Sequence, residues 1–546
     1  MKKLLPICIA VVLCVFGTRV MAQMSYGGEP QSFKLTLSQN IPTIEVEALD
    51  VDALLAEDAS IEGKNHALRI GVTKEVMYTN LNSGRIDLLP DGSKIWRLKF
   101  HMEGATFTSM NFSTFEIPNG AELYLYTPDR EYVIGKFTNA NLMEDGTFYP
   151  QEMPGDEIIV EYYEPANAAF AGKLVIDQIS QGYYDFFHIY RDEKEEKGGL
   201  GDAEGTCHPN AICYDATWHD QIQSVVCYTM TSGQYVYMCS GAMVNNTARD
   251  GKQYLLSANH CYESGTWRFY FNYQATTCTG TNGSILKTAT GYTLKAKDDG
   301  NSSSDFMLVE ITGTINPSYN VFLAGWTNVT TVPSNPTDCG AIHHPGGDIK
   351  KFSVPQHINN GQMSGYPKFW LANWATATGA TEQGSSGSPL FNKDKLIVGQ
   401  LYAGSSSCSN PTGWDLYGKL SNSWTNNNNS SNSKKLKPWL DPNNTGATSL
   451  QGEYLNTVGM TNYTQTIDAL NIYPNPNSGM MTISGAFTDG EGVCRVYDMM
   501  GNLVMNRNIT LAPEFTLNLD QLTPGMYMLE INGNDRISRA KIIISK

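Results

Sequence analysis

Short runs of alternating apolar and polar residues, separated by turn residues, occupy the chain from residue 24 to about 190. Three clear runs are KIWRLKFHM (94–102), AELYLYT (121–127) and DEIIVEYYE (156–164). The adjoining segments IPNG, TPDRE and MPGDE are rich in residues that form turns. A period of two is typical of strands with one buried face, so this region is predicted to be a β-sandwich.

A similar pattern with a different composition extends from about residue 207 to 455. Cysteine, Gly, Ser, Asn and Trp become more frequent, and helical periodicity nearly disappears. Predicted strands are YVYMCSGAMV (235–244), WRFYFNY (267–273), DFMLVEI (305–311) and KLIVGQLYA (395–403). Many short strands with few helices indicate an all-β barrel or sandwich.

Two polar stretches divide the chain further. Residues 191–206, RDEKEEKGGLGDAEGT, have no apolar face and are predicted to form an exposed, protease-sensitive linker. Residues 456–467 are a second polar linker. Beyond it, residues 468–546 alternate again and predict a third, smaller β unit.

The first residues indicate export. Lys2 and Lys3 precede an apolar run from Leu4 to Phe16, and Val20-Met21-Ala22 offers small residues at a cleavage site. Residues 1–22 are therefore predicted to be a secretory signal peptide. No later stretch is apolar for long enough to cross a bilayer, so no transmembrane segment is expected.

Cysteine usage and charge restrict the function further. Eight of the nine cysteines beyond residue 22 lie between Cys207 and Cys408, which in an exported protein indicates disulfides. They include no C-x-x-C pair, and the isolated His208 and His219 and the loop pair His343-His344 lack a ligand set, so neither a metal nor another cofactor is expected. The formal charge is −16 and no long basic patch occurs, which argues against nucleic acid as a partner.

Three stretches carry candidate chemistry: YLLSANHC (254–261), SSSDFMLVEI (302–311) and GSSGSP (384–389). A serine hydroxyl becomes a nucleophile beside a base, and the base needs an acid to orient it. His260 ends an apolar strand, and Asp305 begins one where its carboxylate would need a partner. Gly384 and Gly387 permit a turn that points the N–H groups of Gly384 and Ser386 at one place, as an oxyanion hole requires.

These stretches resemble the active-site motifs of trypsin-like serine proteases, and residues 207–447 resemble bacterial lysyl endopeptidase. The matching motifs are CHPNAIC, CSGAMVNNT, LLSANHC, FNYQATTC, SSDFMLVEI, AIHHP, TEQGSSGSP, GQLYAGSSSC, WDLYGK and WLDPNNTGA. The resemblance implies two six-stranded antiparallel β-barrels with the site between them. It also implies His260 as base, Asp305 as its orienting partner and Ser386 as nucleophile.

The resemblance further implies the disulfides Cys207–Cys408, Cys213–Cys278 and Cys239–Cys261. Cys227 and Cys339 have no counterpart in the family pattern, and we expect them to pair with each other.

Specificity is predicted from one acidic residue. In trypsin-like enzymes the pocket acid lies six residues before the nucleophile, where this chain has Ala380. In the lysyl endopeptidase pattern the acid lies downstream, and the matching residue is Asp415. Together with Thr381, Tyr402 and Gly404, Asp415 is predicted to bind the substrate side chain, and cleavage after Lys is expected. The alternatives are Arg or broader specificity, with Asp415 as a turn residue.

Activation is expected to depend on the N-terminal domain. Ser385 stands where chymotrypsin-type zymogens have an acid that captures a new N-terminus, and it cannot form an ion pair. We therefore predict a prodomain, residues 23–197, that is removed from a protease domain, residues 198–455, by self-cleavage at Lys194 or Lys197. The alternative is a permanent substrate- or carbohydrate-binding domain.

The C-terminal segment, residues 468–546, resembles the type A sorting domain of the type IX secretion system. The matching motifs are YPNPNSG, VYDMMGNLV, LTPGMYML and KIIISK. The resemblance implies passage through the periplasm and across the outer membrane, with the secretion machinery as a partner. An accessory immunoglobulin-like module is the alternative.

The combined prediction is an all-β, secreted serine endopeptidase that acts on proteins and peptides. A chymotrypsin-like protease domain of two antiparallel β-barrels is flanked by an N-terminal β-sandwich and a small C-terminal immunoglobulin-like β-sandwich. The competing class is a surface adhesin or binding protein on a retired protease fold, which would not need all three of the residues His260, Asp305 and Ser386.

Overall fold

The computed structural model describes residues 28–61, 65–143, 145–185, 207–298, 303–363, 366–374, 378–410, 412–426, 429–455, 471–484, 490–498, 503–533 and 536–545. The predicted signal peptide and the linkers 191–206 and 456–467 lie outside these ranges. The chain divides into two compact units, Met1–Gly459 and Met460–Lys546. Strands hold far more of the described residues than helices do, which confirms the all-β prediction, while the division into barrels and sandwiches stays a prediction. None of the helices in these ranges is long and apolar enough to span a membrane.

The N-terminal region forms one six-stranded sheet and contributes strands to a second sheet. Its elements are β1 (Thr43–Val46), α1 (Val51–Ala59), β2 (Leu68–Thr79), β3 (Arg85–Leu88), β4 (Lys94–Met102), β5 (Phe107–Glu116), β6 (Glu122–Tyr126), β7 (Val133–Phe137), β8 (Met153–Pro154), β9 (Glu157–Glu164) and β10 (Lys173–Gly182). The six-stranded sheet has the order β1-β4-β9-β6-β7, with β3 beside β4. The predicted run 94–102 has the bounds of β4. A core cluster that includes Phe100 of β4 and Phe112 of β5 packs the two sheets together.

The first half of the predicted catalytic region, residues 207–455, completes the second sheet. Its elements are α2 (Asp215–Ser224), β11 (Val225–Ser232), β12 (Tyr235–Val244), β13 (Tyr254–Ala258), β14 (Thr266–Phe271), β15 (Thr288–Thr290), β16 (Tyr292–Asp298) and β17 (Phe306–Ile311). The eleven-stranded sheet has the order β15-β14-β11-β12-β2-β10-β5-β8, and β13, which pairs with β12, joins β17 and then β16 to it. Strand β12 pairs with β13 only through Ala242–Val244, so its first residues, Tyr235–Met238, are available to pair with β2.

The second half of the catalytic region has its own nine-stranded sheet. Its elements are β18 (Phe322–Leu323), β19 (Trp326–Thr327), β20 (Gly340–His343), β21 (Lys351–Ser353), β22 (Pro355–Met363), β23 (Tyr366–Trp374), β24 (Pro389–Phe391), β25 (Ile397–Gly404), β26 (Trp414–Lys419), α3 (Leu420–Thr425), α4 (Lys437–Leu440), β27 (Ser449–Leu450) and β28 (Glu453–Tyr454). The sheet order is β21-β20-β24-β25-β26-β23-β22, with β19 beside β25 and β27 beside β19. Strands β18 and β28 pair separately.

The C-terminal unit is a small β structure with its own core. Its strands are β29 (Asn471–Tyr473), β30 (Met480–Ser484), β31 (Gly490–Asp498), β32 (Leu503–Leu511), β33 (Glu514–Asn518), β34 (Gly525–Gly533) and β35 (Arg536–Ile544). They form a three-stranded sheet, β29-β30-β33, and a four-stranded sheet, β32-β31-β34-β35. Buried side chains such as Val496, Leu529 and Ile531 form the core.

A buried carboxylate joins the N-terminal region to the catalytic region. Glu152, just before β8, is fully buried and accepts hydrogen bonds from the hydroxyls of Thr229 and Tyr270. The guanidinium of Arg268, also fully buried, lies 3.7 Å from the same carboxylate. Arg268 donates two further bonds to the N-terminal region, to the carbonyl of Pro150 and the side chain of Asn111. The N-terminal region therefore supplies most of the partners of the charged guanidinium of Arg268, which lies on β14 of the eleven-stranded sheet.

Replacing Glu152 with glutamine is expected to destabilise the unprocessed protein by about 3 kcal/mol, because the variant buries the Arg268 charge without its counter-ion. The measurement is urea unfolding of the full chain in a Ser386→Ala background. The control is Glu157→Gln, which removes the more exposed partner of Lys99 and should cost less than about 1 kcal/mol. Equal losses in the two variants would contradict the prediction.

Candidate active site

Two neighbouring strands bring His260 and Asp305 together. Strand β13 ends at Ala258, two residues before His260, and β17 begins directly after Asp305. The strands pair antiparallel, with Ala258 opposite Phe306. The Nδ1–H of His260 donates to Oδ2 of Asp305 over 2.6 Å, and the backbone N–H of His260 donates to Oδ1 over 3.0 Å. One carboxylate therefore fixes both the ring and the backbone of the histidine.

This pairing determines which ring nitrogen of His260 is basic. Because Nδ1 carries the proton that Asp305 accepts, Nε2 has the lone pair of the neutral ring. Nε2 is buried and makes no hydrogen bond to any residue in the described ranges. The rings of Tyr402 and His260 form a T-shaped pair, with 6.1 Å between ring centroids. Burial and the charge of Asp305 raise the pKa of Tyr402, so this neighbour stays a neutral phenol.

Residues 378–388, between β23 and β24, form the Ser386 loop, which packs directly against the end of β13. The backbone carbonyl of the fully buried Ser386 accepts a hydrogen bond from Ser240 N–H over 3.0 Å. Gly387 has φ of +81°, and a Cβ at this position would lie 2.9 Å from the nitrogen of Ala258 and in collision with Ser257 Oγ. Only glycine fits this close approach, which places the loop against Ser257 and Ala258, just before His260 in the chain. Gly384 also has positive φ, +84°.

Strand β25 links the Ser386 loop to Asp305. The Gly387 N–H donates to the carbonyl of Leu401 over 2.9 Å. The neighbouring residue Gln400 donates its side-chain amide to the carbonyls of Ser304 (2.7 Å) and Asp305 (3.2 Å). One strand of the nine-stranded sheet therefore holds the backbone of Asp305, which directly precedes β17 of the eleven-stranded sheet.

Asp415 accepts hydrogen bonds from a cluster of polar side chains, one of which, Thr381, belongs to the Ser386 loop. It is fully buried on β26, and its Oδ2 accepts three hydrogen bonds, from Trp374 Nε1 (2.5 Å), Thr381 Oγ1 (2.8 Å) and Ser406 Oγ (2.6 Å). Gly404 is opposite Asp415 in the strand pair, and a Cβ on Gly404 would collide with Oδ1. Glycine at position 404 therefore lets the strand pack directly against that oxygen, which is itself buried.

The predicted substrate-binding residues fall into two groups. Thr381 and Gly404 contact Asp415, as described. Tyr402 instead lies between His260 and Phe369, whose ring stacks on it with 5.0 Å between centroids. Sequence reasoning gave no role to Trp374, Ser406 and Gln400, although the motif GQLYAGSSSC contains the last two. Each acts through a partner that is distant in the chain.

The structure contains the disulfides that the resemblance implies: Cys207–Cys408, Cys213–Cys278 and Cys239–Cys261. The last joins β12 to the turn that carries His260. The expected bond between Cys227 and Cys339 is wrong, since both are free, buried thiols. They belong to different hydrophobic clusters, and burial raises the pKa of each thiol.

The buried histidines His208, His343 and His344 bond to other groups of the protein. Cys207, His208 and Cys408 are close enough to share a metal ion, but the two sulfurs are bonded to each other. His208 Nε2 pairs with Glu382 over 2.9 Å. Both ring nitrogens of His343 bond to serines, and His344 Nδ1 bonds to the carbonyl of Asp348.

Comparison with known proteins agrees with this organisation. Residues 201–418 match the family model of the lysyl endopeptidase C-terminal domain, and residues 471–545 match that of the secretion system C-terminal sorting domain. Lysyl endopeptidase from Pseudomonas aeruginosa is 28% identical over 375 residues, which cover 63% of this chain and 77% of that protein.

Solved serine proteases are more distantly similar. A thermostable serine protease from an extremophilic microorganism is 12% identical, with a TM-score of 0.28, over 37% of this chain and 93% of its own. The protease Anisep from Arthrobacter nicotinovorans is 16% identical, with a TM-score of 0.29, over 36% of this chain and 90% of its own. On the two family models and the Pseudomonas relative, the chain is a secreted serine endopeptidase that is similar to lysyl endopeptidase over residues 201–418, and residues 471–545 form a type IX secretion sorting domain.

Proposed function

We propose that this protein hydrolyses peptide bonds after lysine through a triad of Ser386, His260 and Asp305. Ser386 Oγ attacks the scissile carbonyl while His260 Nε2 takes its proton, and the same nitrogen then protonates the leaving amine. Water then attacks the resulting acyl-enzyme while His260 Nε2 takes a proton from the water, and the same nitrogen returns a proton to Ser386 Oγ. The bond between His260 Nδ1–H and Asp305 supports these roles, because it leaves Nε2 as the basic atom and stabilises the imidazolium that forms.

The oxyanion hole is assigned to the N–H groups of Gly384 and Ser386. The positive φ of Gly384 and Gly387 gives the loop a tight turn around Ser386. In such a turn, successive N–H groups can point at one place, and the negative oxygen of the tetrahedral intermediate would lie there.

The buried carboxylate of Asp415 carries the proposal for lysine. A long cationic side chain entering beside the Ser386 loop would meet an acidic group that water does not screen. A guanidinium pairs best with both oxygens of a carboxylate, and Oδ2 already accepts three bonds. The site therefore suits the single ammonium of lysine better than the fork of arginine.

The N-terminal region, residues 23–197, is proposed to be an inhibitory prodomain of the protease domain, residues 198–455. Strand β2 pairs antiparallel with the start of β12, with Leu68 opposite Met238. Leu68 also approaches Gly384, 3.4 Å from where a Cβ would stand, and the side chain of Gln383 contacts His66 over 3.3 Å. An extended peptide substrate binds along a free strand edge beside the nucleophile. In the full chain, β2 covers the edge of β12 that could serve this purpose.

Processing is expected at Lys194 or Lys197, by the enzyme itself. Replacing both lysines with glutamine should leave the full chain uncut and inactive, because β2 would stay on the edge of β12. N-terminal sequencing of the mature wild-type protein is the measurement, with Ser386→Ala as control. A mature start remote from residues 191–206, or identical processing in Ser386→Ala, would rule out self-cleavage.

The test of specificity uses mature protein and chromogenic peptides that end in Lys, Arg, Glu or Leu. We expect cleavage after Lys above all others. Cleavage after Arg or without preference would keep the triad and refute the pocket assignment. No cleavage of any peptide by folded, mature protein would refute the proposed activity and favour a binding protein.

A further inference from the structure

His343 ties together the backbone of the loop that carries Ser386. It ends β20 and is fully buried. Its Nδ1 lies 2.7 Å from Ser385 Oγ, and its Nε2 lies 2.9 Å from Ser353 Oγ. Ser353 Oγ donates in turn to the carbonyl of Ala380 over 2.9 Å, and Ser385 Oγ accepts from Glu382 N–H over 3.1 Å. Both ends of this chain of bonds are on the Ser386 loop.

The proton positions in this chain follow from one fixed bond. Ser353 has a single hydroxyl proton, which it gives to a carbonyl, so it can only accept from His343. Nε2 of His343 therefore carries a proton. Ser385 accepts from a backbone N–H and has its own proton to give, which Nδ1 takes if the ring is neutral. Every group is satisfied with His343 neutral and protonated at Nε2.

The position of Ser385 makes this arrangement important. It is the residue directly before the nucleophile, where an ion-pairing acid stands in chymotrypsin-type zymogens. A serine cannot bind a new N-terminal ammonium, so the loop needs another restraint. The chain from Ala380 through Ser353, His343 and Ser385 to Glu382 restrains the loop on the side of β20 and β21. It contains no group that proteolysis has to create.

We propose that neutral His343 is a positioning residue for the reaction: through Ser385 it holds the backbone N–H and Oγ of Ser386 in the geometry for attack. This inference rests on the proposed role of Ser386. Activation then requires removal of the covering β2 strand and no insertion of a new N-terminus. Asp415 makes none of these bonds, although Thr381, which donates to it, lies between the anchored residues Ala380 and Glu382. The role assigned to His343 is on the chemical step, through Ser385 and Ser386.

The first test is kinetic, on mature enzyme with the peptide that the wild type cleaves best. His343→Leu should lower kcat about 100-fold with KM nearly unchanged, as expected for a nucleophile displaced by about 1 Å. His343→Gln should recover part of the loss, because an amide both donates and accepts. Ser385→Ala should resemble His343→Leu. The control His219→Gln removes a half-exposed histidine of α2 and should leave kcat unchanged.

Three outcomes would overturn the inference. One is a folded His343→Leu variant with wild-type kcat, and another is a loss that appears in KM alone. If His343→Leu does not fold, Ser385→Ala carries the test, and wild-type kcat in that variant is the third.

A second readout separates this inference from the proposed function. A fluorophosphonate reacts with an activated serine without any specificity pocket. An unlabelled wild type would refute the proposed nucleophile. A wild type and a His343→Leu variant that label at the same rate would refute only the positioning role. In 15N-histidine-labelled wild type, with His343→Gln to assign the signal, His343 should be neutral and protonated at Nε2; an imidazolium at neutral pH would overturn the proton arrangement.

Discussion

Replacing Ser386 with alanine, in protein processed in trans by the wild-type enzyme, is expected to lower kcat by about 10⁶-fold, while the protein still folds and binds peptide. The reason is that Oγ forms the covalent bond of the acyl-enzyme, and no neighbouring group replaces it. Because a triad acts as a unit, His260→Ala should cost about as much, and the double variant little more than either single one. The measurement is steady-state hydrolysis of the best chromogenic peptide.

The control for this prediction is Ser433→Ala, which removes an exposed serine hydroxyl far along the chain from the loop. It should keep full activity. Losses that add in the Ser386→Ala, His260→Ala double variant would show that the two residues do not act together. Residual activity near that of the wild type in Ser386→Ala would show that another residue is the nucleophile.

Replacing Asp415 with alanine, in protein processed in trans by the wild-type enzyme, is expected to abolish the preference for lysine. Loss of a buried partner of the substrate ammonium should lower kcat/KM for the Lys peptide by about 10³-fold, since truncating one side of such a pair costs several kcal/mol. The Leu peptide carries no charge and should be cleaved at least as well as before. The quantity to measure is therefore the ratio of kcat/KM for Lys and Leu peptides, which is insensitive to a general loss of active enzyme.

Two further variants sharpen this prediction. Asp415→Asn keeps the volume of the side chain and removes its charge, so it should also lose the Lys preference. Asp394→Asn removes an exposed carboxylate and should leave the ratio unchanged. An unchanged ratio in Asp415→Ala would exclude Asp415 from the pocket. A variant that prefers Arg would point to a second acidic group.

The local pattern of the sequence predicted many elements well. The alternating run 94–102 is β4, and the predicted strand 235–244 is β12. Asp305 and His260 were placed at strand ends, where the structure has them. These features depend on residues that are neighbours in the chain, and alternation, turns and strand ends are local properties. The all-β class follows from the same local pattern.

Long-range partners had no such signal. The expected Cys227–Cys339 bond failed because pairing depends on which clusters the two strands join. The sharing of one sheet by β2 and β12 also escaped prediction, because it joins strands on opposite sides of a charged linker.

By itself, the sequence determined that this is an exported, all-β chain with His260, Asp305 and Ser386 in motifs that resemble a serine protease site. Only the tertiary structure decided what holds those motifs in place. It brought Trp374 and Ser406 to Asp415, Gln400 to the backbone of Asp305, and His343 to Ser385. Each of these bonds joins residues from different strands or loops, so its geometry depends on strand register and on the packing of one sheet against another, which no local pattern encodes.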